Sequence, residues 1–142
     1  MTHLLIDTSI LITWFHSEGE QHVDEARVLL RAHVSGGLRA HVLDLALYEM
    51  GNVLLRALHW HADDVAEQIQ DLLVICGPPL PMATDWTRDA AQLAEHHGLT
   101  FYDAAWAAVG RGLNLPLVSA DRQLLGAGLA ISAPQAVQQL GI

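Results

Sequence analysis

One recurring order constrains this chain most: a short apolar run, then an acid, then a segment with helical periodicity. Leu4-Leu5-Ile6 ends at Asp7, and Asp121 lies two residues beyond the Pro-led run Pro116-Leu117-Val118-Ser119. Runs of this length suit buried strands. A short helix is expected from Thr8 or Ser9 to Phe15, then helices over 22–34, 44–58, 63 or 64 to 73, 84–97, 102–112 and 134–140. Gly36-Gly37, Gly98 and Gly112 read as helix stops, and Asp44 and Thr100 as helix starts. Further strands are expected near 39–43 and 129–132, with another near 73–76 or 79–82. Strands alternating with helices imply an α/β fold with a mostly parallel sheet, and such sheets gather their sites at the carboxyl ends of the strands.

The 142 residues suit one domain spanning 1–142. At 51% hydrophobic and 16% charged residues, the composition excludes intrinsic disorder and argues against a coiled coil. No apolar run approaches the ~20 residues that span a bilayer. The first Lys or Arg is Arg27, so no charged leader is expected. The lone Cys76 cannot form an internal disulfide. A cytoplasmic, reducing setting without membrane contact is therefore expected.

Charge narrows the function. The chain carries 16 acidic residues against 7 basic ones, all Arg, for a net charge of −9. A passive nucleic-acid coat should be basic, because neutralising phosphates drives its affinity. An enzyme that reaches phosphates through a cation remains allowed, since the ion inverts the local charge. So acidic a chain also suits a basic partner.

Most of the acids fall on solvated helix faces, but four do not. Asp7 and Asp121 follow apolar strands. Asp103 lies in a first helical turn among Phe101, Tyr102, Ala104, Ala105 and Trp106, and Glu49 lies inside the apolar helix 44–58. Isolated buried carboxylates are costly unless paired or metal-bound. Each has a plainer reading: Asp7 and Asp121 as helix caps, Asp103 as a dipole partner, and Glu49 as part of a polar stripe with Asn52 and Arg56. Together they form an all-oxygen ligand set of the kind that selects Mg²⁺ or Mn²⁺.

Four stretches carry a family resemblance: Leu5-Ile6-Asp7-Thr8-Ser9-Ile10-Leu11, Leu47-Tyr48-Glu49-Met50-Gly51-Asn52-Val53-Leu54, Leu99-Thr100-Phe101-Tyr102-Asp103-Ala104-Ala105-Trp106 and Leu115-Pro116-Leu117-Val118-Ser119-Ala120-Asp121-Arg122. In order and spacing the chain resembles the PIN-domain nucleases, specifically the VapC-type toxins of toxin–antitoxin pairs. The resemblance implies a PIN-like three-layer α/β/α sandwich. It implies Asp7, Glu49, Asp103 and Asp121 as the catalytic, metal-binding quartet for Mg²⁺ or Mn²⁺, with Ser9 and Ser119 as supporting hydroxyls. Asn52 is a further supporting candidate. The implied activity is endonucleolytic hydrolysis of RNA by metal-activated water. A cognate VapB-type antitoxin, a homodimer, and contact with DNA only through that antitoxin are implied as well.

His59-Trp60-His61 and His96-His97 lack the i, i+4 helical spacing of a zinc pair. Trp14, Phe15, Tyr48, Trp60, Trp86 and Trp106 read as core or interface residues before they read as base-stacking platforms. Arg56, Arg111 and Arg122 are candidate phosphate contacts. A phosphoacceptor receiver domain would need a late Lys, and the chain has none. A housekeeping RNA-processing nuclease and a non-catalytic interaction module of the same fold remain as rivals.

Overall fold

Three parallel strands carry the chain, and the earliest, β1 (Thr2–Ile6), lies between β2 (Leu38–His41) and β3 (Leu117–Val118) in a computed structural model that describes residues 1–142. Leu4, Leu5 and Ile6 are all buried. Successive side chains on a strand point to opposite faces, so both faces of β1 are covered. The cover is helical: α1 (Thr8–Phe15), α2 (Val23–Val34), α3 (Leu45–Asn52), α4 (Ala62–Cys76), α5 (Thr87–His97), α6 (Phe101–Leu113), α7 (Arg122–Gly126) and α8 (Ala133–Leu140). α2 packs on α1, β2 and α8, α3 packs on α1 and α4, and α5 pairs with α6. This is the expected three-layer α/β/α arrangement.

The strand order positions the site. The chain leaves the top of β1 toward β2 on one side and reaches β3 on the other. The carboxyl end of β1 is therefore the point where the strand order reverses, and α/β sheets open a crevice there. Backbone bonds from Leu5 N–H to the Pro116 carbonyl (2.9 Å) and from Asp7 N–H to the Val118 carbonyl (3.1 Å) set β3 beside it.

Several local expectations need correction. Residues 73–76 are not a strand but the last turn of α4, and the 79–82 alternative amounts to one bridge between Leu43 and Leu80. The strand near 129–132 is likewise one bridge, Val118 with Ile131. β2 stops at His41 rather than residue 43. Asp44 makes no capping bond, because its own backbone is already helical (φ −58, ψ −28). The helix expected over 44–58 widens after Asn52 into a π-helical turn, Val53–Ala57, with Leu58 N–H bonded to the Val53 carbonyl. Helix 84–97 begins as a 3₁₀ turn, Thr84–Trp86, before α5. No helix is long and apolar enough to cross a membrane.

Gly112 does not end α6. The cap is Asn114, in the left-handed region (φ 55), and Gly112 lies inside the helix because Trp86 rests on it. A Cβ at residue 112 would sit 2.1 Å from the Trp86 indole nitrogen. Alanine gains up to about 1 kcal/mol over glycine in helix propensity. Overpacking costs about 1–3 kcal/mol. Gly112→Ala is therefore expected to lower stability by about 1 kcal/mol net. Chemical denaturation checks this, and a stabilised variant would show that the Trp86 contact does not hold.

Candidate active site

The end of β1 places a carboxylate where water scarcely reaches. Asp7 is 5% exposed and caps α1. Its Oδ1 accepts from the Ser9 backbone N–H (2.7 Å) and the Ser9 hydroxyl (2.5 Å), and its Oδ2 accepts from the Ser119 hydroxyl (2.5 Å). The same two serines join the loops after β1 and β3. Ala120 N–H donates to Ser9 Oγ (2.9 Å) and Asp121 N–H to Ser119 Oγ (3.0 Å). Both supporting hydroxyls expected from the sequence therefore touch Asp7.

Asp121 is the N-cap of α7, its Oδ2 accepting from Leu124 N–H (2.9 Å). Asp103 occupies the first turn of α6, behind the Thr100 cap. Glu49 projects from α3, and its Oε1 accepts from the Thr8 hydroxyl (2.9 Å) and the Trp106 indole N–H (2.8 Å). All four acids, from four separate elements, line one cavity of about 210 Å³ with Thr8, Ser9, Ile12, Val53 and Trp106. The capping readings of Asp7 and Asp121 are thus correct without displacing the other role, because one carboxylate does both.

Asn52 is exposed and is absent from the lining, so it supports nothing within the cavity. Arg122 lines an adjoining hollow that shares Ser9, Ile12 and Val53 with the acidic cavity. Arg111 faces Asp89 at 3.9 Å, and Arg56 is exposed. His59 and His61 border a larger, open hollow of about 540 Å³ with Trp60, Asp64, Glu67, Gln68 and Asp71. No three Asp, Glu, His or Cys side chains there or elsewhere stand ready to hold an ion as a group. The sequence reading missed Thr8 and Trp106 as partners of Glu49. The available signal was chemical: a carboxylate inside an apolar helix needs donors, and the indole only donates.

Electrostatics follow from this crowding. Burial, and to a lesser extent Glu49, pushes the Asp7 carboxyl up to about 6 against the pull of its serine bonds. Asp103 is raised too, first by burial, then by Asp121 and Glu49, with Thr100 opposing. Like charges facing one cavity favour proton uptake or a bound cation. All donors are oxygens, the chemistry suited to Mg²⁺ or Mn²⁺. The donor set fits such an ion by its chemistry, although its oxygens are not gathered into one chelating group.

The raised Asp7 value fixes a pH dependence. A carboxyl raised from 3.8 to about 6 on folding stabilises most below 3.8 and loses that contribution as pH climbs through 6. The loss is on the order of 3 kcal/mol at neutrality. Asp7→Asn should therefore gain stability relative to the parent as pH rises from about 4 to 6, then level off. Urea midpoints across that range measure it, and a difference that does not change with pH would contradict the buried charge.

The PIN domain family profile matches residues 4–128. Over 91 residues the chain is 34% identical to exonuclease VapC9 of Pyrobaculum aerophilum, covering 59% of this chain and 63% of that protein, just under two thirds. It is 28% identical over 125 residues to ribonuclease VapC3 of the same organism, covering 85% and 91%. In fold it is similar to PAE2754 of Pyrobaculum aerophilum, with a TM-score of 0.71 and 24% identity over 99% of this chain and 90% of that one. It is also similar to a chain of a toxin–antitoxin complex from Klebsiella pneumoniae, with a TM-score of 0.66 and 17% identity over 92% and 97%. With the profile spanning most of its length and the acids meeting at the strand ends, the chain belongs to the PIN domain family.

Proposed function

We propose that this protein is an endoribonuclease dependent on Mg²⁺ or Mn²⁺ and acts as the toxin of a toxin–antitoxin pair. The observation that carries the reading is the convergence of Asp7, Glu49, Asp103 and Asp121 on one cavity at the sheet's switch point. Two relatives, named as an exonuclease and a ribonuclease, support its nuclease part. These four carboxylates would hold the ion, with Ser9 and Ser119 fixing Asp7. Bound there, the metal supplies an activated water near neutral pH and offsets charge on the phosphoryl oxygens. The chain's own part is to bind and orient. Asp7 is bonded through both oxygens to Ser9 and Ser119, Glu49 and Asp121 each have one oxygen tied to the protein, and Arg122 stands beside the cavity for a neighbouring phosphate.

The partner reading rests on charge and on the Klebsiella pneumoniae complex of the same fold. An acidic cavity in a chain of net charge −9 suits a basic tail. An Arg from a VapB-type antitoxin would pair with the carboxylates and take the place of the cation. DNA would be reached only through that antitoxin. A homodimer would cover the apolar hollow formed by Leu43, Leu45, Met82 and Ala105 with the exposed Tyr48, Phe101 and Tyr102. The buried, unpaired Cys76 suits a reducing cytoplasm.

Cleavage of a circular single-stranded RNA tests the activity, since only an endonuclease opens a circle. Cutting should require Mg²⁺ or Mn²⁺ and stop in EDTA. It should fall at least about 100-fold in Asp103→Asn or Asp121→Asn. Purified with the product of its neighbouring gene, the protein should not cut until that product is removed. Undiminished cleavage in EDTA contradicts the metal reading, and degradation of linear RNA alone contradicts the endonucleolytic one.

A further inference from the structure

Glu49 is held differently from the other acids. Asp121 is fixed by a backbone N–H of its own turn and Asp7 by Ser9 beside it and Ser119 from the loop after β3, whereas Glu49 is gripped only by side chains from two other helices. Thr8 reaches it from α1 and Trp106 from α6, 57 positions away in sequence. Both donors end on the same atom, Oε1, and neither touches Oε2. Thr8 is 7% exposed and Trp106 1%, so both donors are largely shielded from water, while Glu49 itself is half-buried at the cavity wall. Donors to an ionised carboxylate form the stronger class of hydrogen bond.

A buried indole N–H needs an acceptor, and a backbone carbonyl would suffice. Trp14, equally interior, uses one: its indole N–H goes to the Ala26 carbonyl at 3.0 Å. Trp106 instead spends its N–H on a carboxylate that lines the acidic cavity, as Trp106 and Thr8 themselves do. Two donors on one oxygen stop the carboxylate from rotating end for end, and they leave the other oxygen for an ion.

We propose that Trp106 and Thr8 are positioning residues that lock Glu49 by its Oε1, making Oε2 the oxygen offered to the divalent cation. The inference rests on the metal-dependent reading of the cavity. It assigns a metal-orienting role to a tryptophan that sequence alone places in the core. Outer partners of metal ligands usually set affinity by 10- to 100-fold, because a ligand free to rotate must be ordered again when the ion binds.

Indole nuclear magnetic resonance of the whole chain tests this without any turnover. In a ¹⁵N-labelled sample the four tryptophan Nε1–H signals are assigned by triple resonance and followed as MgCl₂ is added, beside the backbone amides of Ser9, Ala120 and Asp121. The Trp106 indole signal should move along the same saturation curve as those amides, while the Trp14 indole stays in place. If the amides move and the Trp106 indole does not, the lock is wrong and the metal site stands. If no cavity signal moves, the metal reading fails and takes this inference with it. In parallel, Thr8→Val, which keeps shape and removes the donor, should weaken Mg²⁺ binding by about 10- to 100-fold in calorimetry. Thr8→Ser, which restores the hydroxyl, should bind as the parent does. Parent-like binding by Thr8→Val overturns the proposal, and Trp106→Phe, if it folds, should fall with Thr8→Val.

Discussion

The structure turns on one buried carboxylate. Asp7 ends the central strand, starts the next helix and faces the acidic cavity, yet it is 5% exposed. A charge so placed is tolerable only with its lone pairs occupied. Ser9 and Ser119 supply three donors to it, and by doing so they fasten the loop after β1 to the loop after β3. The position of Asp121 depends on that fastening, because its N–H is bonded to Ser119. Holding Asp7 and aligning the β3 side of the cavity are therefore one set of hydrogen bonds.

The same economy runs through the other acids. Asp121 gives one oxygen to the start of α7 and Glu49 gives one to Thr8 and Trp106. What remains free faces a cavity that four like charges make unfavourable without protons or cations. Removing the repulsion by mutation should strengthen the fold while weakening the chemistry, the usual opposition between stability and a functional site.

Much of this was legible in the sequence. Leu4–Asp7 announced a buried strand ending in an acid, and Thr100 and Gly98 marked real helix ends. The parallel sheet followed from the alternation of elements, and the four acids stood out as carboxylates in apolar surroundings. The rest was hidden for physical reasons. Leu73–Cys76 is apolar enough for a strand, but α4 runs through it, since a short apolar run has no period of its own to distinguish the two. Gly112 looked like a helix stop because its contact with Trp86 is tertiary. Trp106 looked like core, and it is core. Its bond to Glu49 joins α6 to α3 across 57 positions of sequence, which no local spacing encodes.

Burial and the neighbouring Glu49 raise the Asp7 carboxyl toward neutrality, and a cation bound in the cavity should lower it again. A ¹³C titration of the Asp7 side-chain carboxyl, with and without saturating Mg²⁺, measures this directly. The metal-free protein should titrate at about 6. With Mg²⁺ the midpoint should fall by at least about one unit. A midpoint in the ordinary aspartate range, or one that Mg²⁺ leaves in place, would contradict the account.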